Sequence, residues 1–178
     1  MVLSDRDLES SLKKGHIKII PFSDDIVREN GVDFRLSDEI CHHLKANKNF
    51  ILDPMDPISV RRAYGKVIRS DKMVIKPQEQ VLLSTIEHLE MPADVMGFVE
   101  LRSTWARHGL SMPPTIIDAG FVGTITLEVI NHAPYSILLR KAQRFAHIIF
   151  AKTHSRVENA YSGTYLGQQG IKLPKVLK

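Results

Sequence analysis

A single cysteine, Cys41, stands in a chain of 178 residues. One cysteine forms no intrachain disulfide and cannot build a multi-cysteine zinc site. Long apolar runs are missing too. No window approaches the roughly 18 consecutive apolar residues of a membrane span, so no membrane partner is expected. The opening MVLSDRDLES is acidic and polar, unlike a secretory or mitochondrial leader, and a cytoplasmic location is expected. There is no Walker A loop and no GxGxxG, which leaves nucleotide binding of the P-loop or Rossmann kind unsupported. His42, His43, His108, His132, His147 and His154 show no HExxH or other ligand spacing, and His147 in FAHIIF reads as a strand histidine. Basic residues are scattered, with short pairs such as Lys13-Lys14 and Arg61-Arg62 and no zinc finger, basic helix or RNA-recognition motif. The formal charge of +4 therefore suits pockets for a small phosphorylated ligand better than a nucleic-acid surface.

What is present is ordinary globular composition, 43% hydrophobic and 25% charged, of a length that fits one domain over residues 1–178. Residues 4–14 predict a helix. Ser4 can cap it, Asp5 and Asp7 stand near the positive end of its dipole, Lys13 and Lys14 near the negative end, and Gly15 stops it. HIKIIP is a short β-type run, and residues 22–30 suit one more helical turn. From residue 31 the pattern is strand, turn, strand, with Gly or Pro at the turns, which predicts an all-β, distorted barrel or jelly-roll-like fold. Residues 44–70, with DPMDP, read as an irregular excursion over the barrel. Residues 153–178 are polar, with Gly163, Gly167 and Gly170, and read as a frayed end or a mobile cover for a site.

Three segments carry chemistry. Arg102-Ser103-Thr104-Trp105-Ala106-Arg107 offers guanidinium forks and hydroxyls; if Ser103 opens a helical turn, they form an anion cradle, and otherwise a capped helix with surface arginines. In Ile116-Ile117-Asp118-Ala119-Gly120-Phe121-Val122-Gly123 a carboxylate stands at a sharp turn, where Gly120 permits close approach to a ligand and Phe121 offers a flat face to a sugar or base. A plain hairpin with Asp in its turn is the simpler alternative. In Thr126-Leu127-Glu128-Val129, alternation sets Thr124, Thr126 and Glu128 against Ile125, Leu127 and Val129. Glu128 faces water unless that face lines a pocket, in which case desolvation raises its pKa and suits it to proton transfer.

In this order the segments resemble the superfamily of dUTPases and dCTP deaminases. Gly31-Val32-Asp33-Phe34 is similar to its GxDL block and Arg102 to Arg107 to its RSSxAR block. Ile117 to Glu128 is similar to its IDxGFxGxxTLE block, and Tyr161 to Gly170 to its YxGxYxGQQG tail. The resemblance implies a homotrimer with active sites between subunits. It implies that Arg102, Ser103 and the neighbouring Thr104, Trp105, Ala106 and Arg107 hold the triphosphate and order the centre. By the same resemblance Asp118 contacts the deoxyribose or positions water, Phe121 stacks on the sugar, and Thr126 and Leu127 stand with Glu128 at the substrate. The tail, with Tyr161 and Gln168, would close over the nucleotide. Magnesium is implied as a companion of the triphosphate.

Glu128 in TLE is similar to the deaminase glutamate, so the reaction implied first is hydrolytic deamination of dCTP to dUTP, with Ser103 and Arg107 orienting water and Glu128. Nucleobase deaminases that use zinc hold it with His and Cys or several Cys, which the single cysteine does not allow, so no zinc is expected. A bifunctional enzyme taking dCTP to dUMP and diphosphate ranks second, because Asp118 and Glu128 supply both carboxylates. A pure dUTPase ranks third, and a basic β-barrel module that binds nucleic acid or a partner without turnover is the non-enzyme alternative. Two departures from the deaminase pattern are Pro113-Pro114-Thr115 ahead of the Ile-Asp pair and Thr164 where a Lys is common.

Overall fold

The computed structural model describes residues 1–44 and 49–177. In chain order it has α1 (Asp5–Lys13), β1 (Lys18–Ile20), a 3-10 turn (Asp24–Ile26), β2 (Val27–Arg28), β3 (Gly31–His42), α2 (Pro57–Ala63), β4 (Ile68–Arg69), β5 (Lys72–Ile75), β6 (Gln80–Thr85) and β7 (His88–Glu90). Then follow β8 (Val95–Leu101), α3 (Ser103–Arg107), β9 (Leu110–Ser111), β10 (Thr115–Ile117), β11 (Val122–Gly123), β12 (Thr126–Asn131), β13 (Ile137–Arg140) and β14 (Arg144–Lys152). The mainly β architecture read from the alternation is what the chain adopts.

The principal sheet runs β10-β8-β14-β3-β6-β12-β9, with β2 and β4 also paired to β3, and smaller sheets run β1-β7-β11 and β13-β5. The organising strand is β3. Val32 to Arg35 pair with β14, and Leu36 and Ile40 to His42 pair with β6, with a register shift between. A shift of that kind bends a strand and increases local twist, which curls the sheet. All three sheets bury side chains in one core, from Ile19 and Leu89 through Phe34, Leu36, Leu83 and Leu127 to Ile75 and Leu139. Phe34, Phe145 and Phe150 are each 0% exposed.

Local chemistry explains the helices. Ser4 and Asp7 close a reciprocal capping box over the start of α1, and the expected turn within residues 22–30 is the 3-10 turn. The excursion of residues 44–70 is less irregular than its Pro and Asp content suggested. Asp56 caps α2, accepting from Ile58 N–H (3.0 Å) and Ser59 N–H (3.1 Å), and Pro57 occupies the first turn, where its missing N–H does no harm. The Asp-Pro pair that reads as a loop is a helix start. Residues 45–48 of that excursion lie outside the described residues. No helix among the described residues is long and apolar enough to cross a membrane.

Candidate active site

Glu128 lies on β12, where Leu127 and Val129 turn into the core and Thr126 and Glu128 take the opposite face. Register places Glu128 beside Leu82 of β6, and Leu82 beside Cys41 of β3. Both neighbours are buried, so the carboxylate sits at the end of an apolar row. Burial pushes the Glu128 carboxyl up from the usual carboxylate range, opposed only in part by a backbone hydrogen bond. The bland alternative, a glutamate in open water, does not describe this environment.

The same carboxylate lines a cavity of about 390 Å³. Asp118, Phe121, Thr126, Tyr161 and Gln168 line it as well, so residues spread over the chain converge on one hollow. Asp118 is exposed at the end of β10 and has no side-chain hydrogen bond or ion pair among the described residues. Phe121 is 8% exposed; it belongs to the core and presents its ring to Tyr161, with centroids 5.9 Å apart. A larger cavity of about 780 Å³ lies between α1 and β1, but its walls are mostly apolar and it contains none of these groups.

The tail forms one wall of the hollow. Tyr161 N–H donates to the Ala119 carbonyl (2.9 Å), Gly167 N–H to Val122 (2.7 Å), and Thr124 N–H to the Gln168 carbonyl (3.0 Å). Lys172 N–H donates to Thr126 Oγ1 at 3.1 Å, and Ile171 N–H to Glu39 Oε2 at 2.8 Å. Backbone conformation requires the glycine at Gly120, with φ of +88°; a Cβ there would also meet Ala160 Cβ at 2.7 Å. What approaches Gly120 closely is therefore the tail, where the sequence suggested a ligand. The Gln168 amide donates from Nε2 to the Thr124 carbonyl at 2.6 Å, while its buried Oε1 has no hydrogen-bond partner among the described residues. That lone acceptor is open to a donor placed in the hollow.

The arginine segment lies elsewhere on the chain. Ser103 does open a short helix, α3, and Arg102 precedes it as the cap residue. Trp105 ties α3 to β14: its Nε1–H donates to the Arg144 carbonyl at 2.9 Å and its ring lies 5.5 Å from that of Phe145. Arg102, Ser103 and Thr104 line a separate cavity of about 330 Å³ together with Asp33 and His147. This hollow and the Glu128 hollow share no lining residue. Ala106 and Arg107 are exposed, and Arg107 makes no ion pair among the described residues.

The structure thus brings together Glu128, Asp118, Phe121, Thr126, Tyr161 and Gln168 in one hollow, sets Arg102, Ser103 and Thr104 in another, and leaves Arg107 outside the lining of both. Leu127 is 1% exposed and turns its side chain into the core, so only its backbone faces the strand neighbours. Trp105 serves packing. Sequence reasoning passed over Lys172 and Tyr165, which line the Glu128 hollow. Lys172 supplies a cation there, although the position of Thr164 carries none. Tyr64 also went unnoticed: burial chiefly, then the charges of Cys41 and Glu128, raise its phenol pKa, which places it near the carboxylate. A bridge between His43 and Tyr64 holds it there, and no sequence motif signals that contact.

Comparison with known proteins shows the family and the fold. A sequence profile of the family described as dCTP deaminase-like matches residues 2–153. A dCTP deaminase of Sulfurisphaera tokodaii is 51% identical over 175 residues, covering 98% of this chain and 92% of that protein. A dCTP deaminase of Pyrobaculum aerophilum is 43% identical over 178 residues, covering 100% of this chain and 98% of the relative. Among solved structures, the 2'-deoxycytidine 5'-triphosphate deaminase from Agrobacterium tumefaciens superposes with a TM-score of 0.64 at 21% identity over 84% of this chain. The match spans 46% of that longer chain. The dUTPase from phage phi11 of S. aureus superposes with a TM-score of 0.51 at 12% identity, covering 83% of this chain and 96% of the phage protein. At such identities the two structures speak for the fold alone, a dUTPase-like one. The sequence relatives, matched over nearly their whole length, show that the chain belongs to the dCTP deaminase-like family.

Proposed function

We propose that this chain converts dCTP, taken as its magnesium complex, to dUTP and ammonia, with Glu128 as the proton carrier and no zinc in the reaction. The observation that carries the reading is a desolvated carboxylate in a hollow it shares with Asp118, Phe121 and the tail. A carboxyl with a raised pKa both accepts and returns a proton readily near neutrality. Glu128 takes a proton from water, the water oxygen bonds to C4 of cytosine, and the proton passes to N3. Glu128 then carries the remaining hydroxyl proton to the amine. The C4–N bond breaks, C4 becomes a carbonyl, and ammonia leaves. Atoms balance as dCTP plus water to dUTP plus ammonia.

In this reading Asp118 contacts the deoxyribose and Phe121 lies against it. Tyr161 and the free Oε1 of Gln168 close the hollow, and Thr126 and the Leu127 backbone stand beside the base. Arg102, Thr104 and the backbone of Trp105 and Ala106 form the triphosphate cradle, while Ser103 and Arg107 orient water and Glu128 and stabilise charge. That Arg102, Ser103 and Thr104 line a different hollow from Glu128 supports a homotrimer with each site assembled between subunits, because symmetry can bring one chain's cradle to its neighbour's Glu128. A cytoplasmic location fits an enzyme acting on free nucleotides.

A second reading is favoured by one observation: Asp118 and Glu128 line the same hollow. With Asp118 also activating water, the enzyme would release dUMP and diphosphate. Incubation with dCTP and Mg²⁺, following ammonia and separating dUTP from dUMP, tests both. Absence of ammonia refutes the first reading, and diphosphate formed with ammonia favours the second.

A further inference from the structure

The hollow beside Ser103 has a charged floor. Asp33, on β3, is 2% exposed. Its carboxylate meets three groups: His147 Nδ1 lies 2.9 Å from Oδ1, Arg102 Nε 3.1 Å from Oδ2, and Arg144 Nη1 3.9 Å from the same oxygen. Register produces the first contact, since Asp33 and His147 are direct partners across β3 and β14. The second arises at the end of β8, where the Arg102 N–H donates to the Phe145 carbonyl at 3.1 Å and fixes the backbone.

The pairing is unequal in a telling way. Oδ1 takes a directed hydrogen bond from histidine, whereas Oδ2 is buried and has no well-aligned donor among the described residues although Arg102 Nε lies within ion-pair distance. The contact with Arg102 is therefore charge against charge. Arg102 also places Nη1 3.4 Å from the Arg144 carbonyl, which leaves Nη2 without a partner among the described residues. A buried carboxylate between two guanidinium groups is an arrangement that packing alone does not call for, because burying the charge is unfavourable unless it is compensated.

We infer that Asp33 is a positioning residue: it holds Arg102 through Nε so that Nη2 stays turned out for the substrate's phosphates, and His147 fixes the carboxylate for that task. The inference rests on reading Arg102 as a triphosphate contact. An arginine already held loses less side-chain freedom when the anion arrives, and its fork is presented in one orientation. Without the carboxylate, Arg102 loses its acidic partner, while Arg144 keeps Asp25, whose Oδ2 lies 3.0 Å from its Nη2.

Four substitutions, two of them also combined, test it with dCTP and deoxycytidine as probes. Asp33→Asn keeps an acceptor for His147 and removes the charge. It is expected to raise KM for dCTP roughly tenfold, the effect of losing one charge-assisted contact, with kcat and deoxycytidine affinity little changed. In an Arg102→Ala background the same change is expected to add nothing, because its effect passes through the missing guanidinium. His147→Ala is expected to raise KM for dCTP, and His147→Asn, which keeps a donor near the Nδ1 position, to restore it. Should Asp33→Asn fail to fold, the two His147 variants carry the test. Additive losses from Asp33→Asn and Arg102→Ala, equal losses for dCTP and deoxycytidine, or His147→Asn no better than His147→Ala would each overturn the inference. An unchanged KM for dCTP in Arg102→Ala alone overturns the cradle reading, and this inference with it.

Discussion

Changing Glu39 to Gln is expected to loosen the last part of the tail while leaving the rest of the molecule in place. Glu39 lies on β3, 8% exposed. It accepts from Ile171 N–H at 2.8 Å, Arg69 Nη2 at 2.6 Å and Ser84 Oγ at 3.3 Å. The Arg69 side chain is 73% exposed, so its ion pair contributes at most about 1 kcal/mol after solvent screening. Exchanging a charged acceptor for a neutral one weakens the Ile171 bond by about 1 kcal/mol. Arg69, on β4, stays with residue 39 whether or not the tail is docked, so only the Ile171 bond shifts the docked–undocked balance, by about 1 kcal/mol or roughly fivefold. Gly170, at φ of +65°, packs its α-carbon against the same carboxylate, so the isosteric change leaves that approach intact. Upstream anchors at Tyr161, Gly167 and Gln168 are untouched. Hydrogen exchange should therefore accelerate roughly fivefold at Ile171 and Lys172 and not at Tyr161. Unchanged protection at Ile171, or loss spread over the whole protein, would refute the reasoning.

With Glu128 as the proposed proton carrier, which must be ionised to take a proton, its raised pKa is expected to set the acid limb of kcat/KM above the usual carboxylate range. Activity should fall as pH drops through that limb, and removing residues 160–178 should rehydrate Glu128 and move the limb downward; a pH–rate series on both forms checks this. Mixing equal amounts of Glu128→Gln and Arg107→Ala chains, unfolded and refolded together, should regenerate complete sites at about a quarter of positions if sites form between subunits. No recovered deamination would count against the trimeric arrangement. Phe150→Ala should destabilise the fold by about 3–5 kcal/mol, read from urea unfolding, because the side chain is 0% exposed and leaves a cavity.

Much of the fold was legible because the signals are local. The alternation over Thr126 to Asn131 becomes the burial pattern of β12, and Ser4 to Asp7 becomes the cap of α1. The convergence of Asp118, Phe121, Glu128, Tyr161 and Gln168 was legible through motif order. What sequence did not convey depends on the third dimension. Asp-Pro at 56–57 serves equally as loop or helix start, and the flanking context decides. The desolvation of Glu128 depends on Leu82 and Cys41 in strands far along the chain. Asp33 and His147 are 114 residues apart and meet only through the β3–β14 register. That Arg107 does not line the Glu128 hollow is likewise something motif order does not convey.

The most direct measurement is product analysis from dCTP with the wild-type chain and Glu128→Gln side by side. The wild type should release ammonia and a deoxyuridine nucleotide in equal amounts. Glu128→Gln should bind dCTP with similar affinity and release neither. Ammonia from Glu128→Gln at a rate near that of the wild type, or none from the wild type, would contradict the account.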